Sequence, residues 1–229
     1  MDRAESLPGG FLLGTVEDDH ARGVDYNTAK LFTAHGGKQQ TYRKMHLVPF
    51  GEYLPLRPLL GPIAGGLVPG DFGRGEEPLV FDLPEPALKF AALVCFEDTL
   101  GELTRQFVKG GAQLLVNITN DGWFLRTAGA EQHLDNAIFR AVENRLPLVR
   151  CANTGITCSI DSKGRIDRTG RTGMWIAPFV RGFVTHEIAV PAHPAQTFYT
   201  RHGDWFAHAA AIVTALAILR ALRRTRAGD

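Results

Sequence analysis

Cys95 stands near the end of the apolar run Phe90–Phe96, and Glu97, Asp98 and a helical stretch from Leu100 follow it. A thiol at such a strand-to-helix turn is presented on the carboxyl edge of a sheet, where α/β folds place ligands. The amino end of the next helix and any nearby lysine would favour the thiolate nucleophile. Lys44 is a candidate partner. In Tyr42-Arg43-Lys44-Met45-His46-Leu47-Val48-Pro49-Phe50-Gly51-Glu52-Tyr53 a strand of mixed character runs into a Pro-Gly turn, and a packed ammonium there could hold a tetrahedral oxyanion. His46 is a candidate base, and Glu52 and Glu97 are carboxylates flanking the two turns. Asn120-Asp121-Gly122-Trp123-Phe124 closes another strand; turn formation accounts for Asn120–Gly122 but not for the two aromatic residues after it. Each residue also has a plainer reading. Free cysteine is among the most buried residue types, a lone strand lysine is commonly solvated, a histidine beside Leu47 and Val48 is commonly a hydrogen-bonded structural residue, and carboxylates at helix starts act as caps.

The elements that must carry these residues are legible as pattern. Phe11–Val16, Thr28–Ala34, Thr41–Val48, Leu79–Leu83, Phe90–Phe96, Leu114–Thr119, Leu148–Ala152, Ile156–Ile160 and Phe179–Val190 are short β-branched or aromatic-rich runs punctuated by Gly, Pro, Asp or Asn, and they predict strands. Leu100, Leu103 and Phe107–Val108, then Leu134, Ala137, Ile138, Ala141 and Val142, recur at helical spacing. Strand–helix–strand order from Phe90 to Thr119, then a helix from about Ala130 to Arg145 and another strand, predicts an α/β layered fold. The unalternating runs at Ala91–Val94 and Leu114–Val116 predict strands buried on both faces. Pro55–Pro78 reads as a Gly/Pro-rich apolar loop, of a length that points to a lid or binding surface.

The chain has 229 residues, 25 basic against 24 acidic, and three cysteines. That suits one domain of ordinary size. Near-neutral charge supplies no field for a phosphate backbone, which argues against nucleic-acid binding. Cys95, Cys151 and Cys158 form neither a disulfide framework nor a zinc pattern. The first residues lack the basic and apolar regions of a secretory signal.

The motifs together are more specific than their parts. Lys44 within Tyr-Arg-Lys-Met-His-Leu-Val-Pro-Phe-Gly-Glu-Tyr, Cys95 within Val-Cys-Phe-Glu-Asp, Asn120-Asp121-Gly122-Trp123-Phe124, Gln132-His133 and Arg140-Ala141-Val142-Glu143 resemble the nitrilase, or carbon–nitrogen hydrolase, superfamily. More narrowly, the chain resembles its membrane branch, the bacterial apolipoprotein N-acyltransferases, from about Phe11 to Trp205. The resemblance implies a nitrilase-like α-β-β-α sandwich over residues 1–198, lacking its first strand and helix units. An aromatic lead-in, a transmembrane helix and a basic cytoplasmic tail would occupy 199–229. It implies Cys95 as the nucleophile that takes an acyl chain from a phospholipid as a thioester. Lys44 and the backbone N–H of Phe96 would hold the oxyanion, Glu97 and Glu52 would support the site, and Trp123, Phe124, Tyr53 and His46 would contact substrate. The acceptor would be the diacylglyceryl cysteine of an apolipoprotein, in a ping-pong scheme that needs no cofactor and no metal. Phe96 departs from the family's usual Tyr.

The family's general base is a Glu in a Trp-x-Glu motif on an early strand, and nothing between Met1 and Val16 resembles it. Glu5 precedes Ser-Leu-Pro-Gly, and Glu17 opens a predicted Glu-Asp-Asp-His turn. Proton transfer contributes about 10²–10⁴-fold, so the expectation is a fragment inactive alone. Trp205–Leu219 is apolar but for His208 and Thr214; at ~1.5 Å per residue it spans about 22 Å, short of the ~30 Å core of a bilayer. Arg220, Arg223, Arg224 and Arg226 beyond it, Arg201 alone before it, and Tyr199, Trp205 and Phe206 at its start nevertheless predict a membrane helix with a cytoplasmic end and a periplasmic α/β domain; the resemblance implies the same topology, in the bacterial inner membrane. Snorkelling arginine stems extend the span to Leu222. Two other readings remain at this stage: a soluble nitrilase-type amidase using the same thiol, and a degenerate membrane-anchored module that binds lipid without turning it over.

Overall fold

The computed structural model describes residues 9–33, 39–64, 66, 70–166, 168 and 175–226. β1 (Gly10–Asp19), β2 (Val24–Thr33) and β3 (Gln40–Arg43) form an antiparallel sheet in sequence order. Its long hairpin pairs Gly10 with Thr33 through to Asp19 with Val24. The second sheet runs β4 (Val80–Leu83), β5 (Leu88–Val94), β6 (Leu114–Asn120), β7 (Leu148–Asn153), β8 (Thr157–Ile160), β9 (Trp175–Ile176). Its centre, β5–β6–β7, is parallel, and its outer pairs are antiparallel. The parallel steps need crossovers, supplied by α2 (Gly101–Lys109) and α3 (Gly129–Asn144). α1 (Arg57–Ala64) lies between the sheets in sequence, and α4 (Phe198–His202) and α5 (Trp205–Arg226) end the chain.

The layers follow from which faces are apolar. One buried cluster joins Ala29, Leu31 and Tyr42 of the first sheet to Phe81, Phe90, Leu93, Leu115 and Leu148 of the second, and on to Leu103, Phe107, Leu134, Ala137 and Ala141 of α2 and α3. The order is sheet, sheet, helix, the nitrilase-like α/β arrangement expected. Burying each large side chain contributes about 1.5–3 kcal/mol, so truncating Leu134 or Leu148, both fully buried, would cost about 2–5 kcal/mol.

Three expectations need correction. Phe179–Val190 contains no strand. Phe179 has a φ of 62° and gives its N–H to the carbonyl of Thr154 at 3.1 Å, which takes the chain out of extended geometry. Ile188 and Val190 still pack on the core, so the apolar pattern there marks buried side chains rather than a ladder, and Trp175–Ile176 takes the sheet edge. Strand Thr41–Val48 ends at Arg43, and the chain continues as a loop past Lys44. Pro55–Pro78 is not loop throughout: α1 occupies Arg57–Ala64 with Pro62 inside it, and residues 65 and 67–69 lie outside the described set.

α5 is longer than the counted apolar span because the helix does not stop at Arg220. At ~1.5 Å per residue its 22 residues reach about 33 Å, and none of Trp205–Arg223 is buried. It is long and apolar enough to cross a bilayer. Its start is tied to the α/β layers through α4. Thr197 caps α4 by accepting from the Thr200 N–H at 2.9 Å. Thr200 Oγ1 donates to Asn144 on α3 at 2.9 Å, and Arg105 on α2 donates to the Thr200 carbonyl at 3.2 Å.

Candidate active site

β5 ends at Val94, and Cys95 opens a 3-10 turn, Cys95–Thr99, that leads into α2. Its φ is 52°, a left-handed conformation that costs a non-glycine residue roughly 1–2 kcal/mol. Such strain persists only where surrounding structure over-determines it. Cys95 is partly exposed at the carboxyl edge of the sheet; Cys151 is exposed and Cys158 buried. Burial pushes the Cys158 thiol up to about 12, which leaves it protonated and inert.

Lys44 is completely buried. Its Nζ donates to both oxygens of Glu52, each at 2.8 Å. Glu52 also accepts from Asn27 Nδ2 at 2.6 Å and from the Val48 N–H at 2.8 Å, so it holds the ammonium and the loop beyond it together. The backbone of Lys44 extends the ladder of β2: its N–H donates to Asn27 O at 2.8 Å, and its carbonyl accepts from Gly75 at 2.8 Å. A side chain at Gly75 would collide with the carbonyl of Arg43. Strand alternation sends Tyr42 and Lys44 to the inner face and Arg43 to the outer. Glu17 pairs with Arg43 at 2.6 Å and with Lys30 at 3.2 Å; Arg43 holds its carboxyl below the usual range against the opposing effect of burial. Glu17 sits within β1 rather than opening a turn, on the face opposite Lys44.

Glu97 links the two motifs. It is fully buried, and Oε1 accepts from Tyr42 Oη at 2.8 Å, the Met45 N–H at 2.8 Å and the His46 N–H at 3.1 Å. Oε2 accepts from the Val94 N–H at 2.9 Å. One carboxyl therefore binds the residues just after Lys44 to the residue just before Cys95. Burial pushes its pKa up, against the four hydrogen bonds, and burial beside it pushes the Tyr42 phenol up too.

Below the Cys95 turn is a buried ion cluster that pattern reading missed. Arg150 on β7 donates to Asp98 at 2.7 Å, Asn117 Oδ1 at 2.8 Å and Asp121 at 2.7 Å. His133 on α3 lies between the same two carboxylates, 2.6 Å from Asp98 and 2.9 Å from Asp121. Burial pushes its imidazole pKa down, but the bonds to Asp121 and Asp98 outweigh that and hold it at about 9. Asp121 is held low by His133 and Arg150, although its burial works the other way. With His133 protonated, the two carboxylates meet two cations, the condition under which buried charge is tolerated. Asp98 reads from sequence as a cap and Asp121 as a turn residue. The available signal was Arg150, a lone cation inside the predicted strand Leu148–Ala152, which must find partners.

The remaining predicted residues are placed as follows. Phe96 is 36% exposed and Trp123 76%; Trp123 stands on the 3-10 turn Asp121–Phe124 at the end of β6, the parallel neighbour of β5. Phe124 is half-buried and meets the His133 ring edge-on, centroids 5.6 Å apart. Tyr53 is half-buried, its carbonyl accepting from the Phe50 N–H at 2.8 Å. His46 is half-buried beside Arg74, and burial, then that guanidinium, hold its pKa low; Arg74 Nε donates to Met45 O at 2.6 Å. His46 stands two residues after Lys44 in the same loop.

One glutamate thus joins the loop after a buried lysine to the turn of a strained, partly exposed thiol. The model of the carbon-nitrogen hydrolase family matches residues 10–173, and the chain belongs to that family. Within it, the chain is similar to the apolipoprotein N-acyltransferase of Geobacter metallireducens, 43% identical over 210 residues, covering 89% of this chain and 38% of the relative. It is also similar to the apolipoprotein N-acyltransferase of Bradyrhizobium diazoefficiens, 37% identical over 238 residues, covering 96% and 41%. The chain thus spans about two fifths of the length of these relatives. Among solved structures, the nitrilase-superfamily protein Nit3 of Saccharomyces cerevisiae aligns with a TM-score of 0.53 at 20% identity, covering 71% of this chain and 56% of that one. A carbon-nitrogen hydrolase of Helicobacter pylori aligns with a TM-score of 0.54 at 19% identity, covering 71% and 58%. Both share the fold.

Proposed function

We propose that this chain carries the thiol half of an apolipoprotein N-acyltransferase. The Cys95 thiolate attacks an ester carbonyl of a phospholipid, and the resulting oxyanion is met by the Lys44 ammonium and the Phe96 N–H. Collapse expels a lysophospholipid, whose alkoxide takes a proton, and leaves an acyl thioester on Cys95. The α-amine of a diacylglyceryl cysteine then attacks the thioester; an amide forms, the amine's proton is transferred away, and the thiol is regenerated. The observation that carries this reading is the Glu97 bridge, which ties the two residues just after the buried Lys44 to the residue preceding a left-handed cysteine. Glu52 is fully engaged by Lys44, Asn27 and Val48, which suits a positioning role rather than a base.

In this reading residues 1–198 form the catalytic α/β unit and 199–229 the membrane anchor. Trp123, Phe124, Tyr53 and His46 line the approach, the α/β unit is periplasmic and the arginine-rich end of α5 cytoplasmic. The general base comes from elsewhere in a longer protein, so the 229-residue chain alone is expected not to complete the cycle. The test is trapping: incubate the chain with phospholipid and look by mass spectrometry for an acyl adduct on the Cys95 peptide, absent in Cys95→Ala. A small amide that labels Cys95 where phospholipid does not would replace this reading with an amidase. Turnover by the chain alone above the Cys95→Ala control would overturn the fragment reading.

A further inference from the structure

The Cys95 turn has a left-handed residue with its own carbonyl directed back into the protein, and that carbonyl is not left to water. Asn117, one strand over on β6 and fully buried, donates from Nδ2 to the carbonyl of Leu93 at 3.2 Å and to that of Cys95 at 3.1 Å. Its Oδ1 accepts from Arg150 at 2.8 Å, which fixes which end of the carboxamide is the donor. Arg150 is in turn locked by Asp98, inside the Cys95 turn itself, and by Asp121. A parallel ladder already pairs Leu93 with Asn117 and Val94 with Ile118. The side chain therefore adds a second hold on the strand, placed at the residue where regular pairing stops.

We propose that Asn117 is a positioning residue for Cys95: its carboxamide, oriented by Arg150, clamps the carbonyls on both sides of Val94 and holds the left-handed turn that presents the thiol beside Lys44. The alternatives to such a clamp are unsatisfied carbonyls, which are costly in a buried site, or a turn that relaxes out of the left-handed region and rotates the 95–96 peptide. Glu97 secures the same turn from the opposite side through the Val94 N–H. The turn is thus gripped by a donor on β6 and an acceptor on its own next residues. This inference rests on Cys95 being the nucleophile.

The three cysteines make the test internal to one sample. The chain, in detergent, is treated with limiting iodoacetamide, and alkylation of the Cys95, Cys151 and Cys158 peptides is followed by mass spectrometry. Exposed Cys151 is the reference, and buried Cys158 reports unfolding. Asn117→Ala removes the side-chain donor and the partner of Arg150. Asn117→Asp keeps shape and the acceptor for Arg150 but offers carboxylate oxygen to the two carbonyls. The expectation is that both variants lower the Cys95:Cys151 ratio by about three- to tenfold, the weight of one hydrogen bond, with Cys158 still protected. Should the alanine chain expose Cys158, the aspartate chain decides, since loss of packing or of the Arg150 acceptor alone would not affect it. An unchanged or raised ratio in Asn117→Asp overturns the positioning role while the nucleophile reading stands. A parent chain whose Cys95 labels no faster than Cys151 overturns both.

Discussion

Asp98, Asp121, His133 and Arg150 are at most 5% exposed beneath the Cys95 turn, whereas Phe50, Leu56, Leu59, Ile63, Trp123 and Leu125, on the loops and short helix around the sheet's carboxyl edge and the Lys44 loop, are 55–87% exposed. Charge is inside and apolar surface outside, the reverse of the ordinary distribution. The two regions are maintained for different reasons. The buried cluster incurs a desolvation cost that ion pairing only offsets; what it contributes is a fixed geometry for the turn above it. The exposed apolar residues lie outside the buried cluster, and apolar side chains turned to solvent suit a contact with lipid or protein. α5, unburied from Trp205 to Arg223, belongs with the second region. The difference teaches that a fixed, charged floor and an exposed apolar rim are separate parts of the molecule, so perturbing the floor should change folding and perturbing the rim should not.

Arg150→Met tests the floor most severely. It leaves Asp98 and Asp121 buried with only His133 between them, and removing one partner from a buried ion group costs about 3–5 kcal/mol. Equilibrium denaturation should show that loss; a midpoint equal to the parent's would mean that the cluster is not electrostatically coupled. The next effect is of pH. The folded His133 pKa, held at about 9, lies above its ordinary 6.5. Its contribution is complete below about pH 6.5 and lost as pH rises through about 9; at 1.36 kcal/mol per unit this is about 3 kcal/mol. Denaturation midpoints should therefore fall across that window, and His133→Gln should flatten the slope. A parent chain with no slope there would place a neutral imidazole between the two carboxylates.

Leu216→Arg tests the second region at the middle of α5. An arginine at the centre of a membrane helix costs about 2.5–3.5 kcal/mol of insertion. The fraction of chain resisting alkaline extraction from membranes should fall, while the circular dichroism of the α/β layers is unchanged. Equal extraction of parent and variant would make α5 a surface helix.

The two regions were not equally legible in sequence. The rim and α5 announce themselves locally: Trp123 and Phe124 are unexplained by their turn, and Arg220 to Arg226 bracket an apolar run. α1 was also there to be read, because Leu56, Leu59, Leu60 and Ile63 stand at helical spacing, but Gly61 and Pro62 masked it. Strands β4 to β8 of the second sheet are legible within a few residues, the central ones because burial on both faces forces continuous apolar runs, whereas the two-residue β9 carries no such signal. The floor was not legible. Asp98, Asn117, Asp121, His133 and Arg150 come from five separate elements, and only the parallel β5–β6–β7 order brings them together. Glu97 was found through the motif around Cys95, yet its link to Met45 and His46 is a tertiary fact that no spacing encodes.

The smallest expected effect is at Trp123. Because it packs on almost nothing, Trp123→Phe should change folding stability by no more than about 0.5 kcal/mol, as for exposed substitutions generally. Its readout is environmental. The chain has three tryptophans, and aromatic side chains of this kind favour the membrane interface. With the chain reconstituted in vesicles of brominated phospholipid, removing Trp123 should abolish about a third or more of the quenched emission if the three emit alike. Identical quenching in parent and variant would leave Trp123 in water, and the contrast between a charged floor and a lipid-facing rim would then reduce to α5 alone.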